Sequence, residues 1–198
     1  MIRFLTLYHF EKMAVWFFLV PLGAGLFVAP SLLFSNDFTV FLYPLLISTV
    51  FVLSMFLEQT IAYQTMLRTM PLPTNKLLLA KFLFSILIVG YQLALFALLL
   101  SNRTMDTLLP LLMIAFTICM IATNIVLLYH FYTGQQKNTT TFAIIFYLPL
   151  LFGLQQIESL FFTMITSINS IVLMLLIIVL TLANKQLCLY FAKTKNHY

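Results

Sequence analysis

The chain has 198 residues, of which 63% are apolar and only 8% charged, and its mean hydropathy is +1.07. A water-soluble domain carries about three times that share of charge, so the composition excludes one. The formal net charge of +5 comes without a basic patch interleaved with aromatics, which argues against nucleic acid as a partner.

Residues 13–36, 38–57, 82–102, 107–136, 138–157 and 159–184 carry no Asp, Glu, Lys or Arg. Each run is about 20 residues or longer, the length a helix needs to cross the hydrocarbon core. The expected fold is therefore an all-α integral membrane protein, a single transmembrane domain over 1–198. Its six helices span about 13–33, 38–57, 77–100, 108–131, 141–156 and 168–191. Threading the chain through six times places Arg3, Lys12, Arg68, Lys76, Lys81, Lys137, Lys185, Lys193 and Lys195 on one face. Arg103 alone falls on the other. Basic residues flanking spans stay cytoplasmic, so the chain is expected in the cell membrane with both termini inside.

In chain order, residues 1–12 read either as a short interfacial helix with Arg3 and Lys12 among head groups or as a frayed terminus. The first apolar run is too long for a signal peptide and lacks a small-x-small cleavage site, so it reads as an uncleaved span. Pro21 predicts a kink in span one, and Pro44 lies near the outer end of span two. Pro110 is expected in the first turn of span four, a favoured place for proline. That span ends at Tyr129-His130-Phe131-Tyr132, an aromatic belt of the kind found at membrane interfaces. Residues 155–167 fit a short helix dipping into the outer leaflet; the alternative is a longer, tilted fifth span. Cys119 and Cys188 fall at different depths, so no disulfide is expected between them.

Chemistry is conspicuous by its lack of motifs. There is no HExxH, no paired Cys/His spacing, no GxSxG and no GxxxxGK[ST] phosphate loop, so no enzyme activity, metal or nucleotide binding by this chain is expected. The charge-free span centres also disfavour an ion-coupled carrier.

The informative segment is EQTIAYQTMLRTMPLPTNKLLLAKFL, Glu58–Leu83. Thr60–Met70 reads as a short helix parallel to the membrane, stopped by Pro71 and Pro73. Thr74 is expected to N-cap the helix that becomes span three. Lys76 and Lys81 are expected to snorkel to the head groups at its start. The result is a rigid cytoplasmic elbow; the plainer reading is a connector with basic flanks.

The run MLRTMPLPTNKLLLAKFL resembles the segment after the second span in permease subunits of type-2 ATP-binding-cassette (ABC) exporters, most of all the small bacterial permeases. Their pattern is Ser-Leu-Pro-x-Ser/Thr followed downstream by a lysine; either Leu72-Pro73 or Met70-Pro71 takes the place of its Leu-Pro, and the second aligns better, giving Thr69-Met70-Pro71-Leu72-Pro73-Thr74-Asn75-Lys76 with Lys81 beyond. The departures are an uncharged Ile61–Met66 stretch and a proline at position 73. Length, six spans and cytoplasmic termini also match.

The resemblance implies that residues 58–76 form a coupling helix seated on a separate cytoplasmic ABC-type ATPase. Tyr63, Leu67, Arg68, Thr69, Pro71, Leu72, Pro73, Thr74 and Lys76 would lie at that contact. It further implies two ATPase copies using ATP and Mg, no cofactor bound by this chain, and a second permease copy or homologue. The cargo path would run between the two bundles. Its candidate lining groups are Ser48, Ser54, Gln92, Thr117 and Asn124, whose alternative role is interhelical hydrogen bonding at about 1 kcal/mol each. An amphipathic or hydrophobic cargo (peptide, lipid or drug) is expected. The competing readings are a non-transporting immunity or regulatory membrane protein and a small secondary carrier.

Overall fold

The computed structural model describes residues 15–16, 18–26, 38–57, 73–100, 105–133, 141–142, 145 and 170–194, and among them all regular structure is helical. Helix is what apolar runs of this length must adopt in lipid, where every backbone N–H and C=O has to bond within its own segment. The helices are α1 (18–26), α2 (Phe38–Leu57), α3 (Thr74–Leu99), α4 (Met105–Thr133) and α5 (Ser170–Thr194). Three of them, α3, α4 and α5, are long and apolar enough to cross a membrane by their described side chains. This is the signature of a membrane protein. The readings of residues 1–12, 58–72 and 155–167 lie outside the described residues.

Two local expectations change. The N-cap of α3 is Pro73, with φ −64 and ψ 127 and no side-chain cap bond, so Thr74 is the first helical residue rather than the cap. The ring fixes Pro73 in an extended conformation that launches the helix, and its carbonyl accepts from Lys76 N at 2.9 Å. Pro110 lies inside α4 rather than in its first turn, because the helix begins at Met105, five residues before it. Proline has no N–H to donate to the carbonyl four residues back. At the far end of α3, Leu100 N donates to Phe96 O at 3.0 Å and closes the last turn.

Side-chain contacts give the direction of each helix. Phe18 meets Tyr91 edge-on at 5.3 Å between ring centroids, and Gly25 lies beside Leu99, so α1 and α3 run the same way. Thr49 meets Gln92 while Phe56 meets Phe84 at 4.6 Å, so α2 runs against α3. Lys81 meets His130, placing the start of α3 at the end of α4. Asn124 bonds Thr181 and Asn184, and Tyr132 meets Phe191 at 5.3 Å, so α4 and α5 run in parallel. The starts of α1 and α3 and the ends of α2, α4 and α5 therefore share one end of the bundle. Lys76, Lys185 and Lys193 belong to that same end. Tyr129 also stacks on Phe142 there, at 3.5 Å and 4°.

The core sits around α4, which packs on α2, α3 and α5. Of its apolar stretch 56% is buried, against 39% for α3 and 22% for α5. On α5 the buried residues are Leu173, Ile177, Asn184, Cys188 and Ala192, one stripe at helical spacing. As far as Ala183 its exposed side chains are apolar, as suits a helix lying against lipid, and Gln186 and Lys193 are exposed beyond it. Cys119 and Cys188 are both free.

Gly25 and Gly23 make a contrasting pair. A Cβ on Gly25 would stand 3.0 Å from Leu99 Cδ1, whereas one on Gly23 would meet nothing within 4 Å. Gly23→Ala is expected to stabilise by about 0.5–1 kcal/mol through helix propensity. Gly25→Leu is expected to part α1 from α3 and lower the thermal midpoint in detergent. A midpoint unchanged in Gly25→Leu would contradict the close approach.

Candidate functional site

Three polar clusters lie between the helices, two buried and one half-buried, and each follows from a polar residue placed on an otherwise apolar stripe. On α3 the buried positions Lys81, Ser85, Ile88, Gln92 and Phe96 recur at three- and four-residue spacing. One face of this helix therefore carries an ammonium, a hydroxyl and an amide into the bundle.

The first cluster lies at the basic end. Lys81 is 0% exposed and its Nζ lies 3.4 Å from Nε2 of His130, which is 2% exposed. The ammonium also sits 5.4 Å from the centroid of the Phe131 ring, within cation–π range. Lys81 thus turns inward instead of snorkelling to the head groups. It lies seven residues into α3, about 10 Å along its axis, where a hydrogen-bonding neighbour and an aromatic face replace water. Lys76 is exposed, consistent with its expected place at the surface.

The second cluster joins α2, α3 and α4. The Thr49 hydroxyl donates to Leu45 O at 2.7 Å and meets the Gln92 side-chain amide at Oε1. Ser48 bonds Leu45 O at 3.0 Å and reaches the same amide at 3.4 Å. The Cys119 thiol of α4 lies 4.0 Å from the Thr49 hydroxyl.

The third cluster ties α4 to α5. Asn184 Nδ2 donates to the backbone oxygen of Asn124 at 2.8 Å and to Asn124 Oδ1 at 2.9 Å. Asn124 Nδ2 in turn donates to Thr181 Oγ1 at 3.2 Å. Beside it, between α3, α4 and α5, lies an apolar cleft of about 390 Å³ lined by Ile86, Phe116, Met120, Met174, Ile177 and Leu182 among others.

Of the residues expected to line a cargo path, Ser48 and Gln92 are brought together. Asn124 serves the separate α4–α5 contact. Ser54 and Thr117 bond carbonyls of their own helices, Phe51 O at 2.8 Å and Met113 O at 2.7 Å. Of the expected ATPase contacts, Pro73 and Lys76 are exposed and Thr74 is half-buried at the start of α3. Tyr63, Leu67, Arg68, Thr69, Pro71 and Leu72 lie outside the described residues. Sequence reading missed Thr49, His130 and Asn184 as interior groups. The signal for them was a polar residue in helical register with a partner's polar residue.

No protein-family model, curated protein or solved structure matches this chain.

Proposed function

We propose that the chain is the permease subunit of an ATP-driven exporter in the cell membrane, with six spans and both termini cytoplasmic. The observation that carries this is the proline-punctuated segment 58–76, which joins α2 to α3 at the basic end of the bundle. Pro73 sits there as a stiff, exposed lead into α3. The helix directions support the topology: α1 and α3 run one way, and α2, α4 and α5 the other. The parallel course of α4 and α5 favours a further crossing within 134–169. Positive residues at the end shared by Lys76 and Lys193 favour the cytoplasmic side for that end.

In this reading the elbow seats on a separate ABC-type ATPase, present in two copies, and a second permease bundle completes the transporter. Closure of the ATPases pushes through Pro73 along α3, which moves rigidly because Gln92 and Lys81 tie it to α2 and α4. Tyr63, Leu67, Arg68 and Pro71 supply the contact surface. Amphipathic or hydrophobic cargo suits the apolar interior.

Changing Leu67 and Arg68 to Asp is expected to reduce co-purification of the neighbouring ATPase at least tenfold and to abolish its stimulation. Undiminished complex and stimulation would remove these residues from the interface. Labelling of a cysteine at position 76 only from outside the cell would reverse the topology. The buried Lys81–His130 contact favours one second reading, a small ion-coupled carrier, since ionisable groups inside a membrane bundle commonly serve ion or proton pathways. ATP-independent efflux driven by a proton gradient in vesicles would select it.

A further inference from the structure

We infer that Gln92 of α3 and Thr123 of α4 hold one buried water molecule between them, beside the contact with Thr49 of α2. Two side-chain polar atoms are buried without a hydrogen-bond partner among the described residues, Gln92 Nε2 and Thr123 Oγ1. Both residues are almost fully enclosed, at 0% and 1% exposure. Buried polar groups of native proteins are nearly always satisfied, and one left unpaired is strongly unfavourable.

The helix register places these two groups together. Lys81 faces His130 across the antiparallel α3–α4 pair. Moving 11 residues up α3 and 11 back along α4 sets Gln92 level with Cys119. That level is independently marked by Thr49, which touches both residues. Thr123 follows Cys119 by four residues and lies on the same face. Helical side chains lean toward the N-terminus of their own helix. Gln92 therefore leans toward the basic end and Thr123 away from it, so the two converge on the space between their levels.

The orientation of the Gln92 amide sharpens this. Its oxygen is engaged by the hydroxyls of Ser48 and Thr49, which leaves the Nε2 donor of the same amide turned to the converging space, where it needs an acceptor. Thr123 is distinctive too. Thr49, Thr117, Thr133, Thr181 and Thr194 each bond the carbonyl four residues back, whereas Thr123 does not.

A molecule that both donates and accepts, and is small enough for a closed interior, satisfies both groups. Water fits this description, and buried waters commonly bridge such otherwise unsatisfied atoms. The site is independent of whether the chain moves cargo.

Thr123→Val keeps the side-chain shape and removes the hydroxyl. In the purified full chain in detergent, it is expected to lower the thermal midpoint by about 2–4 °C, the scale for one hydrogen-bonding group in a chain of this size. Thr123→Ser should restore it. In a Gln92→Met background the valine change should lower the midpoint by less than half as much, because the water has already lost a partner. A midpoint that rises or stays fixed in Thr123→Val would mark a hydroxyl with nothing to lose and overturn the site. So would additive effects of the two changes. A density map at about 2 Å showing Gln92 and Thr123 bonded directly, with nothing between them, would also sink it.

Discussion

Replacing His130 with leucine is expected to destabilise the folded bundle by about 1.5–3 kcal/mol, the range for losing a hydrogen bond to a charged group. The ammonium of Lys81 is wholly buried and lies 3.4 Å from His130 Nε2. Leucine fills the space but offers no acceptor, so part of the ammonium's solvation is lost where water cannot replace it. His130→Gln keeps an acceptor and should retain more than half of the lost stability. Thermal midpoints in detergent measure both variants. A leucine variant as stable as the parent would show that the contact contributes nothing. Under the proposed function the same variant should also blunt ATPase stimulation while leaving the complex assembled. Lys81 lies on α3 only seven residues beyond Thr74, where the elbow's push enters the bundle.

The second large effect is expected at Asn184. Its amide makes two bonds to Asn124 across the α4–α5 contact, at 2.8 and 2.9 Å. Asn184→Leu removes both and leaves the Asn124 side-chain oxygen short of a donor. Interhelical polar contacts in membranes are worth about 0.6–2 kcal/mol, and this pair is expected near the upper end. A cysteine pair at Tyr132 and Phe191, whose rings meet at 5.3 Å, reports the packing directly. Crosslinking should slow in the Asn184→Leu background. An unchanged rate and midpoint would mean that apolar packing alone holds α5.

Much of this architecture is legible in the order of residues, for a definite reason. Charge cannot be left in hydrocarbon without strong compensation, so the charge-free runs mark the helices almost by themselves. The expected span 38–57 coincides with α2, and those at 77–100, 108–131 and 168–191 fall within three residues of α3, α4 and α5 at each end. The interior polar groups were less legible. Lys81 lies where a lysine ordinarily reaches back to the surface, and nothing in the adjacent residues distinguishes that course from burial. Its register with Ser85 and Gln92 is the clue, because it sets three polar groups on one stripe. Thr49 is equally quiet. A threonine in a span commonly bonds its own helix, as Thr117 does, and only the arrival of Gln92 from α3 gives it a second role. The Pro73 cap was misplaced by one residue because threonine is the better capping side chain, whereas the ring's fixed backbone angle decided the geometry.

The single buried stripe of α5 has a mechanical meaning. A cylinder touching its neighbours along one line resists being pulled away but offers little resistance to rolling, since greasy flanks exchange one set of lipid tails for another at small expense. The paired asparagines act as a detent on that motion, holding depth and angle together at one level. Any outward swing of this wall should therefore pivot about Asn184 and be widest at the rim farthest from it.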